Sequence, residues 1–433
     1  MYLRRVHLRN VRSLVELVWE LPPDTSGPGW HVILGDNGSG KSTFLRSIAL
    51  ALVGPWEAAG LRQSWNEWIR TGADEATIDL LASDPGFAVP IVLRRTSEAI
   101  DESTNEERKA IEAASPVPRT LRNLWGPGAA GSGVTRGGWF CASYGPFRRF
   151  TGGDKELEKL YTSQPRLARH LSMFDEAIAL TEGLSWLQTL KFKQLEGNPE
   201  GDLLPRIIAF INQPGFLPHE VRLQDVTSSG VEFIDANGAK LPVQGLSDGY
   251  RSVLSMTFEL VRQMALSYEA SELFSSDHTQ IIAPGVVIVD EIDAHLHPSW
   301  QRTVGVWFQR HFPMVQFIVS THSPLVCQAA EVGSVFRLPQ PGVDPASDAG
   351  EMVTGLDRNR LLYGNVLDAY GTGVFGDGVT RSESGQAKLE RLAELNTREL
   401  AGGLSAEERR DQAELRAVLA TEASVNHLHD SAS

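Results

Sequence analysis

A glycine-rich octapeptide, GDNGSGKS at residues 35–42, constrains the fold of this chain more than any other part of its sequence. It follows a short apolar segment, residues 30–34, and precedes residues 44–52, where apolar side chains recur at helical spacing. The glycines let successive backbone N–H groups turn toward a polyphosphate, and the start of a helix adds a positive electrostatic field. The spacing therefore predicts a strand, a phosphate-binding loop and a helix, and disfavours an ordinary glycine-rich turn.

Two side chains of this loop have the chemistry that a nucleotide phosphate with Mg²⁺ requires. Lys41 can reach the β and γ phosphates, and the hydroxyl of Ser42 can bind Mg²⁺. We expect Lys41 to act in catalysis as well as in binding. The residues predicted to contact the nucleotide are Gly35, Asp36, Asn37, Gly38, Ser39, Gly40, Lys41, Ser42 and Thr43.

A second apolar segment, residues 286–289, leads directly into Asp290 and Glu291. Carboxylates at the end of a buried strand lie at the edge where doubly wound sheets bind their ligands. Asp290 is therefore predicted to hold Mg²⁺, and Glu291 to orient and polarise the attacking water. A strand that ends in Asp-Glu is weak evidence by itself and gains its weight from the phosphate-binding loop.

Three histidines follow apolar segments and raise the question of what they bind. His322 comes after residues 315–319 and should reach the same sheet edge, where a γ-phosphate sensor is favoured over a capped turn. His295 and His297 have the H-x-H spacing of metal ligands. Because a third ligand at suitable spacing is not evident and Pro298 begins a helix, a transition-metal site is disfavoured.

The segment GLSDGYRS, residues 245–252, begins another helical apolar pattern. Ser247 has two interpretations. It is either the N-cap of this helix, with its oxygen accepting an orphan backbone N–H, or part of a helix start offered to a phosphate held by another molecule. These residues alone leave both interpretations open.

The composition is that of a folded globular protein, with 42% apolar and 22% charged residues. No uncharged apolar segment approaches the roughly 20 residues of a membrane span, and the N-terminus lacks the apolar centre of a signal peptide. Two cysteines are too few for a disulfide framework. We therefore expect a cytoplasmic protein without membrane association.

The net charge of −14 disfavours a generally basic nucleic-acid-binding surface. Two local clusters are exceptions: basic residues within 4–12, and arginine interleaved with aromatics at 147–150. The first is better explained as a solvated strand face. Contact with DNA or RNA stays open.

The remaining patterns predict the organisation of the chain. Alternation in residues 2–9 and 13–20 predicts paired strands, residues 154–213 are predicted to be helical, and Asn237-Gly238 predicts a hairpin turn. We expect four regions: 1–150, an ATPase lobe with a flexible insertion at 97–138; 151–245, a helical lobe and hairpin; 246–345, the second half of the site; and 346–433, a C-terminal extension.

The C-terminal extension is predicted to contain two short amphipathic helices. Gly402-Gly403 should end the first, and a capping box, Ser405 with Glu408, should begin the second. The apolar residues at helical spacing are Leu389, Leu392, Leu395, Leu415, Val418 and Leu419. The two helices pack either on each other and the ATPase core or on a partner, and both alternatives stay open.

Together these residues resemble the ATP-binding cassette ATPases, in the soluble branch of RecF-, SMC- and OLD-like proteins. GDNGSGKS is similar to Walker A, VVIVDE to Walker B, LSDGYR to the LSGGQ signature and STHSP to the switch-histidine motif. The resemblance implies an α/β fold with a mostly parallel sheet, an N-terminal antiparallel β element, an inserted helical lobe and a helical C-terminal extension. It also implies ATP and Mg²⁺ as cofactors, with Lys41, Glu291 and His322 as catalytic residues.

The family places further residues at the nucleotide. Asp293 falls at the D-loop position, and Asn10 and Arg12, in NVRS, are similar to an element in which the arginine contacts phosphate. Such ATPases form homodimers around two nucleotides, so Ser247 and the backbone of Gly249 are implied to cap the γ-phosphate bound to the other subunit.

Two departures from the family pattern imply slow turnover or a slightly different docking of the signature. Asp248 and Tyr250 replace a glycine and a glutamine of the signature, and SYGPFR at residues 143–148 lacks the glutamine of the Q-loop. An aspartate beside a phosphate adds repulsion, and the missing glutamine removes a contact to Mg²⁺ and water.

Within this branch the chain resembles the PtuA-like antiphage ATPases of Septu and some retron systems, on LSDGYRS, VDEIDAHLHPSWQ and the tract at residues 370–376. The resemblance implies a separate effector or nuclease partner, antiphage defence or DNA transactions as the setting, and oligomers above the dimer as an open possibility. The alternative is a scaffold that ATP stabilises and that holds an effector inhibited with negligible turnover. A transporter motor subunit is disfavoured by the RecF-like N-terminus.

Overall fold

The computed structural model of the chain describes residues 2–54, 57–61, 63–83, 88–95, 140–150, 164–344, 347–370, 372–375 and 382–419. Two compact units are present, Met1–Ala369 and Tyr370–Ser433. The predicted flexible insertion, residues 97–138, lies outside the described residues. Among the described helices, none combines the length and the apolar character that crossing a membrane requires.

A six-stranded, mostly parallel sheet runs through the first unit. In spatial order its strands are β13 (Glu351–Met352), β12 (Gly333–Arg337), β3 (Gly29–Leu34), β11 (Val315–Ser320), β10 (Gly285–Val289) and β6 (Phe140–Tyr144). The last five run parallel, and β13 pairs antiparallel with β12. Every residue of β3, β6, β10 and β11 is buried, which explains their nearly continuous apolar sequences and confirms them as buried strands.

A second, antiparallel sheet is built from the N-terminal part of the chain. Its strands, in spatial order, are β2 (Leu14–Glu20), β1 (Leu3–Val11), β4 (Glu75–Ala82) and β5 (Ala88–Arg94). On the outer face of this sheet Arg5 pairs with Glu20, and His7 and Arg9 both contact Glu16. These basic residues therefore belong to a solvated strand face whose charge is balanced by β2, as the favoured interpretation predicted.

One buried side chain joins the two sheets. Gln316 on β11 accepts a hydrogen bond from the backbone N–H of Leu3 at 2.7 Å and donates one to the Leu3 carbonyl at 2.9 Å. Helix α1 (Lys41–Val53) is buried along most of its length and shares one hydrophobic core with both sheets. The predicted α/β class, with a mostly parallel sheet and an N-terminal antiparallel element, is confirmed.

The helical region after β6 is less continuous than predicted. Its helices are α2 (Pro165–Ala168), α3 (Leu171–Phe174), α4 (Glu182–Leu195) and α5 (Leu203–Ile211). The predicted apolar face is buried, but Asp175 takes an extended conformation after α3, and the backbone of Leu180 then donates to the carbonyl of Arg149. The chain is therefore not helical between α3 and α4. Residues 154–163 lie outside the described part of the chain.

A small antiparallel sheet precedes the second half of the site. It consists of β7 (Arg222–Thr227), β8 (Gly230–Ile234) and β9 (Lys240–Pro242). The hairpin predicted from Asn237-Gly238 joins β8 and β9, with Gly238 in the left-handed region at φ +80°. The sequence did not predict β7.

The other helices of the first unit surround the main sheet. They are α6 (Asp248–Ser267), α7 (Ala270–Leu273), α8 (Pro298–His311), α9 (Pro324–Cys327), α10 (Gly355–Tyr363) and α11 (Val366–Tyr370), which reaches the unit boundary. Short 3₁₀ segments of this unit lie at Ala58–Leu61, Trp65–Glu67, Pro199–Asp202, Pro218–Glu220 and Val243–Gly245, and a further one, Gly373–Phe375, belongs to the second unit. Most of α6 is buried, and it packs against α4 and β6.

The second unit contains a helical hairpin, α12 (Glu383–Ala401) and α13 (Ala406–Val418). Leu395, Leu404 and Leu415 form a small buried core between its helices. The predicted capping box of Ser405 and Glu408 is present in both directions. Val418, which the spacing placed on the apolar face, is 64% exposed, whereas the next residue, Leu419, packs against this core.

We expect a chain that ends at Gly376 to retain the fold of the first unit, because each unit has its own buried core. Thermal unfolding of the truncated chain should remain cooperative, with a midpoint within a few degrees of the full-length protein. The control is Leu395→Ala in the full chain, which should destabilise the helical hairpin by about 2–5 kcal/mol. Loss of a cooperative transition on truncation would show that the first unit depends on the second.

Candidate nucleotide-binding site

The three predicted site segments meet at one edge of the main sheet. The phosphate-binding loop follows β3, the segment with His322 follows β11, and Asp290 and Glu291 follow β10. These strands are immediate neighbours and run parallel, with β11 in the middle. Because carboxyl ends of parallel strands share one edge, segments far apart in the chain lie side by side, as predicted.

The backbone of the phosphate-binding loop requires its glycines. Gly38 and Gly40 have φ of +83° and +96°, a region that other residues rarely adopt. A Cβ added to Gly35 would lie 2.4 Å from the Ser39 hydroxyl oxygen, so the loop folds closely on itself. Asp36, Asn37 and Gly38 are exposed at its tip, whereas Ser39 and Thr43 are buried.

Lys41, the first residue of α1, points its ammonium group back into this loop. Its Nζ donates to the carbonyls of Gly35 at 2.7 Å and Asp36 at 3.0 Å. Burial lowers the pKa of Lys41, and the carboxylates of Asp290 and Glu291 oppose that shift. The first turn of α1 contains no acidic residue, so the positive field of the helix start is not cancelled locally. The loop can therefore accept an anion.

Asp290 is almost completely buried, and its two carboxylate oxygens have different surroundings. Oδ1 accepts a hydrogen bond from the Ser320 hydroxyl, whose oxygen also accepts one from the Glu291 backbone N–H at 2.8 Å. Oδ2 is buried and has no hydrogen-bond partner among the described residues. A buried carboxylate oxygen without a partner is costly unless something else occupies it. Asp290 and the half-buried Ser42 therefore fit a hard cation such as Mg²⁺.

The residues after Asp290 have an unusual backbone. Glu291 has φ of +46° and His295 of +65°, both in the left-handed region that costs energy for residues other than glycine. Between them, one carboxylate oxygen of the half-buried Asp293 is also without a partner among the described residues. His297 is the N-cap of α8, and its Nδ1 accepts from the Ser299 backbone N–H.

His322 is exposed at the end of β11, between the loop and the acidic pair. The backbone N–H of Thr321 donates to the carbonyl of Ile33 at 3.4 Å, which ties this segment to β3. The cap of the following helix α9 is made by Ser323, which accepts a hydrogen bond from Leu325. His322 is thus not needed for capping.

Ser247 has the extended conformation of an N-cap residue at the start of α6, but its side chain accepts no capping hydrogen bond. Its hydroxyl is exposed, and so is the carboxylate of Asp248, which pairs with Arg251 one turn along the helix. The interpretation of Ser247 as a side-chain cap is therefore wrong for this helix. A Cβ added to Gly249 would lie 2.7 Å from the carbonyl oxygen of His295, so glycine is needed there for close approach.

Asn10, near the end of β1, and Arg12, in the turn between β1 and β2, both have left-handed backbones, with φ of +57° and +50°. This turn lies against the phosphate-binding loop, since Leu14 Cδ2 is 3.0 Å from the position of a Cβ on Gly40. The guanidinium of Arg12 stacks over the Trp68 ring at 4.7 Å, and burial is the main cause that lowers its pKa. A phosphate contact by Arg12 stays a prediction.

Arg148 is a site residue that sequence reasoning missed. It was one of the arginines considered for nucleic-acid contact, but it is only 5% exposed. Its guanidinium donates to the carbonyls of Gly145, Asp290 and Glu291 and to the hydroxyl of Ser252. The open interpretation as a nucleic-acid contact is therefore wrong for Arg148. The sequence signal that could have placed Arg148 at the site was the Gly145-Pro146 turn, which directly precedes it and follows β6, the strand beside β10.

Two family models match the chain. Residues 190–328 match "AAA domain, putative AbiEii toxin, Type IV TA system", and residues 5–115 match "AAA domain".

One similar solved structure is "Crystal structure of the SmcHead bound to the C-winged helix domain of ScpA". Its TM-score is 0.41 and its sequence identity 16%, and the match covers 83% of this chain and 99% of that one.

Two relatives are similar in sequence. The Septu protein PtuA of Bacillus mycoides (strain KBAB4) is 25% identical over 337 residues, which cover 77% of this chain and 40% of that protein. The Retron Ec83 probable ATPase of Escherichia coli is 34% identical over 105 residues, which cover 24% of this chain and 18% of that protein. The matched segments thus span less than half of either relative.

Gly249→Ala should lower the free energy of unfolding by about 1–3 kcal/mol, because the added methyl group overpacks the contact with the His295 carbonyl. Chemical denaturation measures the change. The matched control is Gly245→Ala, where the nearest atom to the added Cβ, Pro242 Cδ, would be 3.6 Å away. Equal stability of the two variants would show that the close approach of α6 to His295 is not required.

Proposed function

We propose that this chain binds Mg-ATP, hydrolyses it slowly and works as a homodimer that regulates a separate effector. The proposal follows from its relationship to the ABC-type ATPases of the SMC and RecF-like branch and to their antiphage Septu and retron members. The observation that supports this most is the meeting of the phosphate-binding loop, Lys41 and the Asp290–Glu291 pair on adjacent strand ends.

Nucleotide binding would use groups that are already in position. The left-handed glycines turn backbone N–H groups inward, and the start of α1 adds its field. Lys41 would exchange its two carbonyl acceptors for phosphate oxygens. The phosphates are negatively charged, whereas the carbonyls are neutral, so the buried ammonium would gain a partner of opposite charge. Ser42 and Asp290 Oδ2 would hold Mg²⁺, and the bound ion would neutralise charge on the phosphates.

Hydrolysis would depend on Glu291 and His322. Glu291 accepts a proton from the attacking water or orients that water toward the γ-phosphate. His322, exposed on the neighbouring strand end, contacts the same phosphate. Asn10 and Arg12 lie at and beside the turn between β1 and β2, which packs against the loop, and are proposed to support its closed form.

The second half of each site would come from the partner subunit. Ser247 is exposed and its hydroxyl is not used as a cap, and the backbone N–H of Gly249 belongs to the same helix start. Asp248 adds negative charge there, although its pairing with Arg251 offsets part of the repulsion. Asp293 lies in the chain between Glu291 and His295, and the carbonyl of His295 closely approaches Gly249 at the start of α6. This position supports the assignment of Asp293 to the interface.

The exposed carboxylate of Asp248 is the reason to keep a second candidate function. If repulsion by this exposed carboxylate dominates, ATP is bound but turned over negligibly, and the dimer is a scaffold that holds its effector inhibited. Single-turnover hydrolysis by the purified protein separates the two candidates. The similarity to the Septu and retron proteins supports an effector or nuclease partner, with DNA or RNA contact and a higher oligomer as further proposals.

Glu291→Gln is expected to keep nucleotide binding and to lose hydrolysis, which traps an ATP-bound dimer. Removing a general base typically costs about a hundredfold or more in rate. Equilibrium binding of labelled ATP, single-turnover hydrolysis and light scattering measure the three effects. Glu196→Gln, an exposed carboxylate at the end of α4, is the control and should behave as wild type. Normal turnover of Glu291→Gln contradicts its assigned role.

Mixing two inactive variants tests whether the site is shared between subunits. Lys41→Ala and Ser247→Arg should each abolish hydrolysis, because both composite sites then have one defective half. An equimolar mixture should recover activity through heterodimers with one intact site. Ser229→Arg, in an exposed turn, controls for the introduced arginine. If labelled subunits exchange and activity still does not return, Ser247 does not act on the partner's nucleotide.

A further inference from the structure

Arg148 connects three segments that are distant in the sequence. It follows β6 by way of the Gly145-Pro146 turn, in which a Cβ on Gly145 would lie 2.2 Å from the Ser172 carbonyl oxygen. The turn is therefore held in place by close packing. From there the guanidinium reaches the carbonyls of Asp290 at 2.7 Å and Glu291 at 3.0 Å, and the hydroxyl of Ser252 on α6 at 3.1 Å.

Packing alone does not account for an arginine at this position. The described carboxylates form no ion pair with Arg148, and its guanidinium donates to three carbonyls and one hydroxyl among the described residues. Burial lowers the pKa of Arg148 to about 10, although the nearby charges of Asp290, Asp293 and Glu291 oppose the shift. A buried cation without a paired anion is costly, and an apolar side chain would fill the same space without that cost.

What the arginine contributes is an anchor for the acidic pair. Glu291 has the left-handed backbone conformation, which it adopts only if its surroundings enforce it. Its N–H is held by Ser320 and its carbonyl by Arg148. The direction of the Glu291 carboxylate follows from this backbone, so both hydrogen bonds determine where the carboxylate can place a water.

The hydrogen bond from Arg148 to the Ser252 hydroxyl extends this anchor to helix α6. Ser252 lies little more than one turn after Ser247, on the same helix α6. A shift of the helix start therefore changes the position of the Ser252 hydroxyl, and with it the guanidinium that holds Glu291.

We propose that Arg148 is a positioning residue for hydrolysis: it fixes the backbone of the Asp290–Glu291 pair and couples the orientation of Glu291 to the position of α6. This inference rests on the proposed ATPase function. Arg148 acts through Glu291 and does not touch the nucleotide.

The test compares Arg148→Lys, Arg148→Met and Ser252→Ala with Arg149→Met, the exposed neighbour whose guanidinium donates to the Glu176 carbonyl. For each we measure the Kd for Mg-ATP, the single-turnover rate at saturating ATP and the unfolding midpoint. The Kd should stay within about threefold of wild type for all four. The rate should fall about thirtyfold or more in Arg148→Met, about tenfold in Arg148→Lys and about threefold in Ser252→Ala, with no change in Arg149→Met.

A double variant separates positioning from a merely structural effect. In the Glu291→Gln background, Arg148→Lys should not lower the residual rate further, because both changes remove the same contribution. Additive losses, or parallel losses of affinity and unfolding midpoint in Arg148→Lys and Ser252→Ala, overturn the inference. Ser252→Ala keeps the test decisive if Arg148→Met does not fold. An active wild type with equally active variants overturns this inference alone, whereas a wild type that neither binds nor hydrolyses ATP overturns the proposed function with it.

Discussion

Parallel pairing of β3, β11 and β10 is the constraint on which the rest of the structure depends. In register, Ser320 faces Ile33 on one side and Val319 faces Val289 on the other. Because of this pairing, the segments that follow the three strands begin at the same edge of the sheet. The backbone N–H donors of the phosphate-binding loop, the imidazole of His322 and the carboxylates of Asp290 and Glu291 therefore lie along one edge. The hydrogen bonds between Gln316 and Leu3 then attach the N-terminal sheet, whose hairpin turn packs on the phosphate-binding loop.

The charges of the site are arranged around this edge in a characteristic way. Two buried cations, Lys41 and Arg148, donate to backbone carbonyls, and the acidic residues lie near them without forming ion pairs to them. Burial lowers the pKa of both cations while the carboxylates oppose the shift. Carbonyl dipoles hold each cation in place without a direct ion pair. An ammonium group fixed in this way in a partly desolvated loop is preorganised for an anion and needs little rearrangement to receive it.

Sequence patterns predicted those structural elements that depend on interactions between neighbouring residues. The buried strands, the glycine loop, the hairpin at Asn237-Gly238 and the capping box at Ser405 each follow from a few adjacent residues. The break after α3, the strand β7 and the burial of Arg148 depend on contacts with residues far away in the chain, which a pattern of neighbours does not contain. Ser247 shows the same limit, because an N-cap residue type and conformation did not produce a capping hydrogen bond. Residues 97–138, predicted as an insertion, lie outside the described part of the chain.

The close approach of Gly249 to the carbonyl of His295 has a consequence for a dimer of the proposed kind. Within one subunit, the helix start that faces the partner's nucleotide and the segment that follows the subunit's own acidic pair meet with no room for a side chain. A displacement of either element must move the other. Occupancy of one composite site is then thermodynamically linked to the geometry of the second, so two equal sites in a symmetric dimer need not be independent. A cooperative response to ATP concentration would then follow from the absence of a side chain at Gly249.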